Sequence, residues 1–248
     1  MELVVKDLSI GYSTPLVSGL NFRLNAPTLA QIIGPNGVGK TTLFKTVLGL
    51  IKPLSGRVLI NGGDVTGAPA VAGRYVGYVP QLAPNYISSF PMTLWEFLRY
   101  SVDLVGGGQS YSVDEVVKAL RLVNIPEEMW YRDIRKLSGG QRQKALIARA
   151  LLRGAAILLL DEPLSNLDLV SRSQVADVLL KLSKEKLVLV SMHDPTVFLN
   201  STDSIILLGY GKHFVGSPRD VMKFELLKDV YGESVTLVER CQHILDLH

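Results

Sequence analysis

Gly34-Pro35-Asn36-Gly37-Val38-Gly39-Lys40-Thr41 places three glycines, a lysine and a hydroxyl within eight residues. An apolar run, Leu29 to Ile33, precedes it, and apolar residues at helical spacing follow from Thr42. This is the pattern of a loop that cradles phosphate: glycines let successive backbone N–H groups curl around phosphate oxygens, and the helix N-terminus adds partial positive charge. Lys40 is expected to reach the β- and γ-phosphates and Thr41 to offer its hydroxyl to Mg²⁺. A second constellation, Ile157-Leu158-Leu159-Leu160-Asp161-Glu162, ends an apolar run in two acids. Ligand crevices of α/β proteins lie at such strand ends. Beside a phosphate loop, Asp161 is expected to hold Mg²⁺ and Glu162 to orient or deprotonate the attacking water. His193 follows a third apolar run, Leu187 to Val190, where it could contact the terminal phosphate or orient the water.

These side chains need strands that end together. Leu3 to Ile10, Leu29 to Ile33, Arg57 to Asn61 and Tyr75 to Val79 read as strands, with Gly62-Gly63 and Pro80 as punctuation. The runs Ile157 to Leu160 and Leu187 to Val190 are apolar at every position, as in strands buried on both faces. Helical patterns occupy Thr42 to Leu50, Thr93 to Val105, Val113 to Val123 and a stretch from near Gly140 through Leu152, with Gly106-Gly107-Gly108 a flexible connection. Strands separated by helices predict an α/β phosphate-loop NTPase core with a mostly parallel sheet, and the three consecutive helical patterns predict an insertion in it. No internal repeat or low-complexity tract interrupts the pattern.

Composition narrows the partners. The 26 basic and 23 acidic residues leave a net charge of +3 without a long basic block, which disfavours nucleic acid as a partner. One cysteine, Cys241, permits no intrachain disulfide, so a cytosolic setting is expected. The acidic Met1-Glu2 start predicts no signal peptide, and the longest wholly apolar run, Ala155 to Leu160, falls far short of the roughly 18–20 residues that span a bilayer. Work at a membrane would need docking through another chain. Cys241, His243 and His248 match no established metal-ligand spacing and read as a solvated tail.

Leu137-Ser138-Gly139-Gly140-Gln141, followed by Arg142-Gln143, resembles the signature motif of the nucleotide-binding subunits of ABC transporters residue for residue. Physically, a serine and two glycines at a helix N-terminus form a second anion-binding surface, which one phosphate loop does not need. The resemblance runs from Tyr12 to His193. It implies a single ABC ATPase domain over 1–248. Within it, 1–85 and 154–217 form the nucleotide-binding core with an N-terminal antiparallel β subdomain, 86–153 the helical signature subdomain, and 218–248 a helical tail.

The resemblance further implies a homodimer formed on ATP binding, head to tail. ATP on Gly34 to Thr42 of one chain would be closed by Ser138, Gly139, Gly140 and Gln141 of the other. Tyr12 resembles the aromatic that stacks on adenine. Gln81 resembles the glutamine that reaches Mg²⁺ and the water and senses the membrane partner. Asp168, in Ser165-Asn166-Leu167-Asp168, resembles the residue that links the two sites, with Asn166 where many members have Ala. Integral membrane permease subunits are implied as partners, with Leu82, Tyr86, Ile87, Phe90 and Trp95 as groove candidates, and an extracytoplasmic substrate-binding protein acts indirectly. The location implied is the cytoplasmic face of the membrane. Phe90-Pro91-Met92-Thr93-Leu94 is similar to the corresponding stretch of zinc and manganese importers, with siderophore and cobalamin importers near seconds. A soluble iron–sulfur assembly ABC ATPase is the alternative of a different class.

Overall fold

The computed structural model describes residues 1–81, 91–101, 111–152, 154–232, 235–238 and 241–244. In chain order the strands are β1 (Glu2–Gly11), β2 (Pro15–Asn25), β3 (Thr28–Ile33), β4 (Ser55–Ile60), β5 (Gly63–Asp64), β6 (Val76–Val79), β7 (Ile157–Asp161), β8 (Leu187–Met192), β9 (Ser204–Gly209), β10 (Lys212–Gly216), β11 (Val235–Val238) and β12 (Cys241–Ile244). The helices are α1 (Lys40–Val47), α2 (Pro69–Ala72), α3 (Leu94–Tyr100), α4 (Val113–Leu122), α5 (Gly139–Leu152), α6 (Leu169–Ser183), α7 (Pro218–Val221) and α8 (Phe224–Tyr231).

The main sheet runs β10-β9-β3-β8-β7-β6, parallel from β9 through β6, with β10 added antiparallel at one edge. Its central strands β3, β7 and β8 are buried at every position because both faces are covered. In β7, Leu158 and Leu160 join the core shared with the helical subdomain, while Ile157 and Leu159 join the core shared with α1 and the antiparallel sheet. Strand β8 divides the same way, Val188 and Val190 against Leu187 and Leu189. Parallel register brings the C-terminal ends of β3, β7 and β8 to the same end of the sheet, where β7 and β8 place Asp161 opposite Ser191.

The antiparallel sheet β2-β1-β4-β5 forms the expected N-terminal β subdomain. Strand β2 buries Val17, Leu20, Phe22 and Leu24 while the intervening positions are mostly exposed. In the helical subdomain, α3 and α4 each open with a capping box, Thr93 with Glu96 and Ser112 with Glu115, which satisfies donors that a helix start leaves orphaned.

The structure corrects one boundary. Residues 218–248, expected as a helical tail, are helical only through Tyr231; β11 and β12 then pair as an antiparallel hairpin. Gly232, at φ 63°, takes a backbone conformation that ends α8, and Val235-Thr236-Leu237-Val238 has the β-branched, alternating character of a strand. Helix α3 ends at Tyr100, and the rest of the helix expected to Val105, with Gly106 to Gly108, lies outside the described residues. Among the described residues, no helix is long and apolar enough to cross a membrane.

Candidate active site

The loop between β3 and α1 is held from behind by β9. A Cβ on Gly34 would stand 2.2 Å from the Leu208 carbonyl oxygen, so only glycine lets the loop lie this close to the strand. The Tyr210 hydroxyl donates to the Asn36 carbonyl at 3.0 Å from the β9–β10 turn. Gly39, at φ 109°, turns the chain into α1 in a conformation that other residues rarely adopt. Lys40, 6% exposed, donates through Nζ to the carbonyls of Gly34 at 2.6 Å and Pro35 at 3.1 Å. The ammonium thus lies under the loop at the mouth where phosphate oxygens would enter.

Thr41 donates through Oγ1 to Asp161 Oδ2 at 2.6 Å, joining the two constellations read from the sequence. Asp161 is almost wholly buried and also accepts from Ser191 Oγ at 2.5 Å and Tyr78 OH at 3.4 Å. Ser191 uses both capacities of its hydroxyl: it donates to Asp161 and accepts the Glu162 backbone N–H at 2.9 Å. Glu162 needs that support. Its φ of 48° is left-handed, an uncommon state for a non-glycine residue that persists only where surroundings fix it. Its carbonyl accepts from Ser165 Oγ at 2.8 Å and Ser165 N at 3.2 Å.

The Glu162 carboxylate lies between the other two expected site residues. His193 Nε2 stands 2.6 Å from Oε1, and Gln81 Nε2 donates to Oε2 at 2.7 Å. Burial pushes the Glu162 carboxyl up, but the hydrogen bond and charge of His193, with Lys40 and Gln81, outweigh it and hold the group below its ordinary value. Glu162 is therefore a carboxylate at neutral pH, able to take a proton. The Thr41 hydroxyl and Asp161 carboxylate are hard oxygen donors at one point, which fits Mg²⁺. In this arrangement Gln81, also expected at the metal, gives its Nε2 to Glu162, a bond that does not use the amide oxygen a metal would take.

The signature residues stand at the start of α5. Ser138 Oγ accepts from Gln141 N at 3.2 Å and Gln141 Oε1 accepts from Ser138 N at 2.9 Å, a reciprocal cap. Ser138 is exposed, and its hydroxyl proton remains available to an acceptor outside this cap. Gly139 and Gly140 continue the first turn, and Asp168 caps α6 by accepting Ser171 N at 2.9 Å. Asn166, like Glu162, is left-handed, at φ 58°. Tyr12 is 70% exposed just past β1. Of the groove candidates, Trp95 stacks on Trp130 at 6.0 Å between ring centroids; Leu82, Tyr86, Ile87 and Phe90 lie outside the described residues.

Sequence reading missed Ser191, Tyr78, Ser165 and Tyr210 as members of this site. For Ser191 a signal existed: it is the first polar residue after Leu187 to Val190, as Asp161 is after Ile157 to Leu160, so equal strand lengths put them side by side.

A glycine-rich loop leading into Lys40-Thr41 and braced against a strand-end acid pair is the arrangement of a nucleotide-hydrolysing ATPase. The family model for ABC transporters matches residues 17–165, and the chain belongs to that family as an ATP-binding protein. A probable metal transport system ATP-binding protein of Chlamydia trachomatis is 35% identical over 242 residues, covering 95% of this chain and 91% of that protein. The lipopolysaccharide export system ATP-binding protein LptB of Haemophilus influenzae is 31% identical over 245 residues, covering 95% and 99%. A solved inward-facing conformation of a putative metal-chelate type ABC transporter superposes with a TM-score of 0.78 at 26% identity, covering 97% of this chain and 94% of the matched one.

Proposed function

We propose that two copies of the chain close head to tail on ATP and drive partner membrane permeases that import a metal ion such as zinc or manganese. In each composite site Tyr12 stacks on adenine, the backbone from Gly34 to Thr42 wraps the phosphates, and Lys40 meets the β- and γ-phosphates. Thr41 and Asp161, with the amide oxygen of Gln81, would hold Mg²⁺. When bound, that ion neutralises phosphate charge. Glu162 takes a proton from the attacking water, whose oxygen bonds to the γ-phosphorus as the bond to the ADP oxygen breaks, and His193 keeps the carboxylate aimed.

Ser138, Gly139, Gly140 and Gln141 of a second copy supply donors to the far side of the γ-phosphate, and Asp168 lies between the two sites. Binding thus favours closure and hydrolysis removes that differential contact. The observation that carries this reading is the double contact on Glu162, whose carboxylate is held by Gln81 and His193 at 2.7 and 2.6 Å. The groove beside Trp95 is the proposed seat of the permease, which would keep the chain at the cytoplasmic face of the membrane, with an extracytoplasmic binding protein delivering cargo on the far side.

Metal import is favoured by the stretch Phe90 to Leu94 and by likeness to the chlamydial metal transport protein. A metal-chelate cargo is the second reading, favoured by the superposition on the metal-chelate type transporter. Purification of the tagged chain from its native membrane tests both. A co-purifying polytopic permease that takes up zinc or manganese in proteoliposomes, with ATP, upholds the first reading, and uptake of a chelate alone upholds the second. Isolation with a soluble iron–sulfur scaffold and no permease would overturn both.

A further inference from the structure

The signature glycine and the residue that aims the base are joined through one chain of contacts within the subunit. Gly140 lies against the first turn of α6: a Cβ there would meet Ser171 Cβ at 2.7 Å and Oγ at 2.8 Å, so the start of α5 packs directly on that turn with no side chain of its own between them. That turn is itself rigid, with Asp168 accepting Ser171 N through Oδ1 and Arg172 N through its carbonyl, at 2.9 and 2.8 Å. From it Arg172 reaches across and donates through its terminal nitrogen to Asp194 Oδ2 at 3.1 Å. Asp194 directly follows His193 and is fixed in turn, Oδ1 accepting Thr196 N at 3.0 Å and Thr196 Oγ1 at 2.5 Å.

Two details set this pair apart from an ordinary surface ion pair. Arg172 Nε is buried and has no acceptor among the described residues, so the guanidinium makes one bond to the carboxylate where a fork could make two. A small shift of α6 against the His193 segment would bring Nε onto the carboxylate or break the present bond, so the contact responds to that displacement. The side chains are also 31% and 48% exposed, which keeps the Coulomb contribution to stability small. Its effect is on geometry.

We propose that Arg172 is a positioning residue which, through Asp194, couples displacement of the signature helix to the orientation of His193 and hence of Glu162. Closure around nucleotide on one face of the subunit thereby resets the base in the subunit's own site. This rests on the proposed roles of Glu162, His193 and the composite dimer.

The test is steady-state ATP hydrolysis by the full-length chain with Mg²⁺, read as kcat, KM and Hill coefficient beside thermal unfolding. Arg172→Ala is expected to lower kcat about tenfold, because a base misplaced by a fraction of an ångström loses much of its effect. KM should stay within about twofold, Tm within a few degrees, and the Hill coefficient should fall towards 1. Arg172→Lys should restore part of kcat, and in an Asp194→Asn background Arg172→Ala should add no further loss. Wild-type kcat and cooperativity in Arg172→Ala, or losses that multiply in the double variant, would overturn the proposal. If Arg172→Ala fails to fold, Arg172→Lys and Asp194→Asn carry the same comparison. Glu162→Gln separates the two layers: if it is inactive while Arg172 variants are normal, the coupling alone fails; if it hydrolyses ATP at the wild-type rate, the reading of the base fails.

Discussion

The strand-end cluster and the start of α5 are built to different degrees. At the strand ends, Thr41, Asp161, Ser191, Gln81, Glu162 and His193 are joined by hydrogen bonds and an ion contact between elements far apart in sequence, with Lys40 bonded to the Gly34 and Pro35 carbonyls of the adjoining loop. At the start of α5, Ser138 and Gln141 bond to each other, and Gly140 packs its back on Ser171. One surface is finished within the chain; the other is only capped and pre-shaped. On the proposed reading the difference is physical: catalysis needs groups held within fractions of an ångström before substrate arrives, whereas a surface that closes on nucleotide gains from staying open until then.

Breaking the finished surface should cost most. Lys40→Ala removes the cation and the anchor for the Gly34 and Pro35 carbonyls, and hydrolysis should fall by about 10³-fold or more in a phosphate-release assay. Ser191→Ala leaves Asp161 Oδ1 and the Glu162 N–H short of a partner; about tenfold slower turnover and a loss of about 1–3 kcal/mol in denaturant unfolding are expected. Gly140→Ala sharpens the contrast from the other side. Its methyl presses on Ser171, so cooperative hydrolysis should fall several-fold, roughly a 1 kcal/mol effect, while binding of a fluorescent ATP analogue to the chain's own loop is retained.

The smallest effect is a shift of pH dependence. Glu162 titrates below its ordinary value in the folded chain because His193, Lys40 and Gln81 outweigh burial. It therefore contributes stability that is whole above about pH 5 and is lost as pH falls through the lowered value. His193→Ala removes the leading favourable contact and leaves burial, so the acid limb of the hydrolysis profile should move to higher pH. An unmoved limb would show that His193 does not tune Glu162.

Much of the finished surface was legible in the sequence because its cause is local. A run of apolar residues ending in Asp161-Glu162, and glycines leading into Lys40-Thr41, state their roles in adjacent positions. What joins them was less legible. Ser191 acts through register between β7 and β8, Tyr210 through the approach of β9 to the loop, and Arg172 through a helix crossing to Asp194, none of which is a spacing along the chain. Strand β2 alternates over too irregular a path to stand out, and the hairpin of β11 and β12 falls in the stretch 218–248 that the family resemblance implied to be helical.

The central claim, that the open surface is completed by a second copy, is tested most directly by sedimentation of the Glu162→Gln chain with and without ATP. A shift from monomer to dimer on adding ATP, abolished by Ser138→Arg in a chain that still binds ATP, is the predicted result. A Glu162→Gln chain that binds ATP and stays monomeric, or a dimer indifferent to Ser138→Arg, would contradict it.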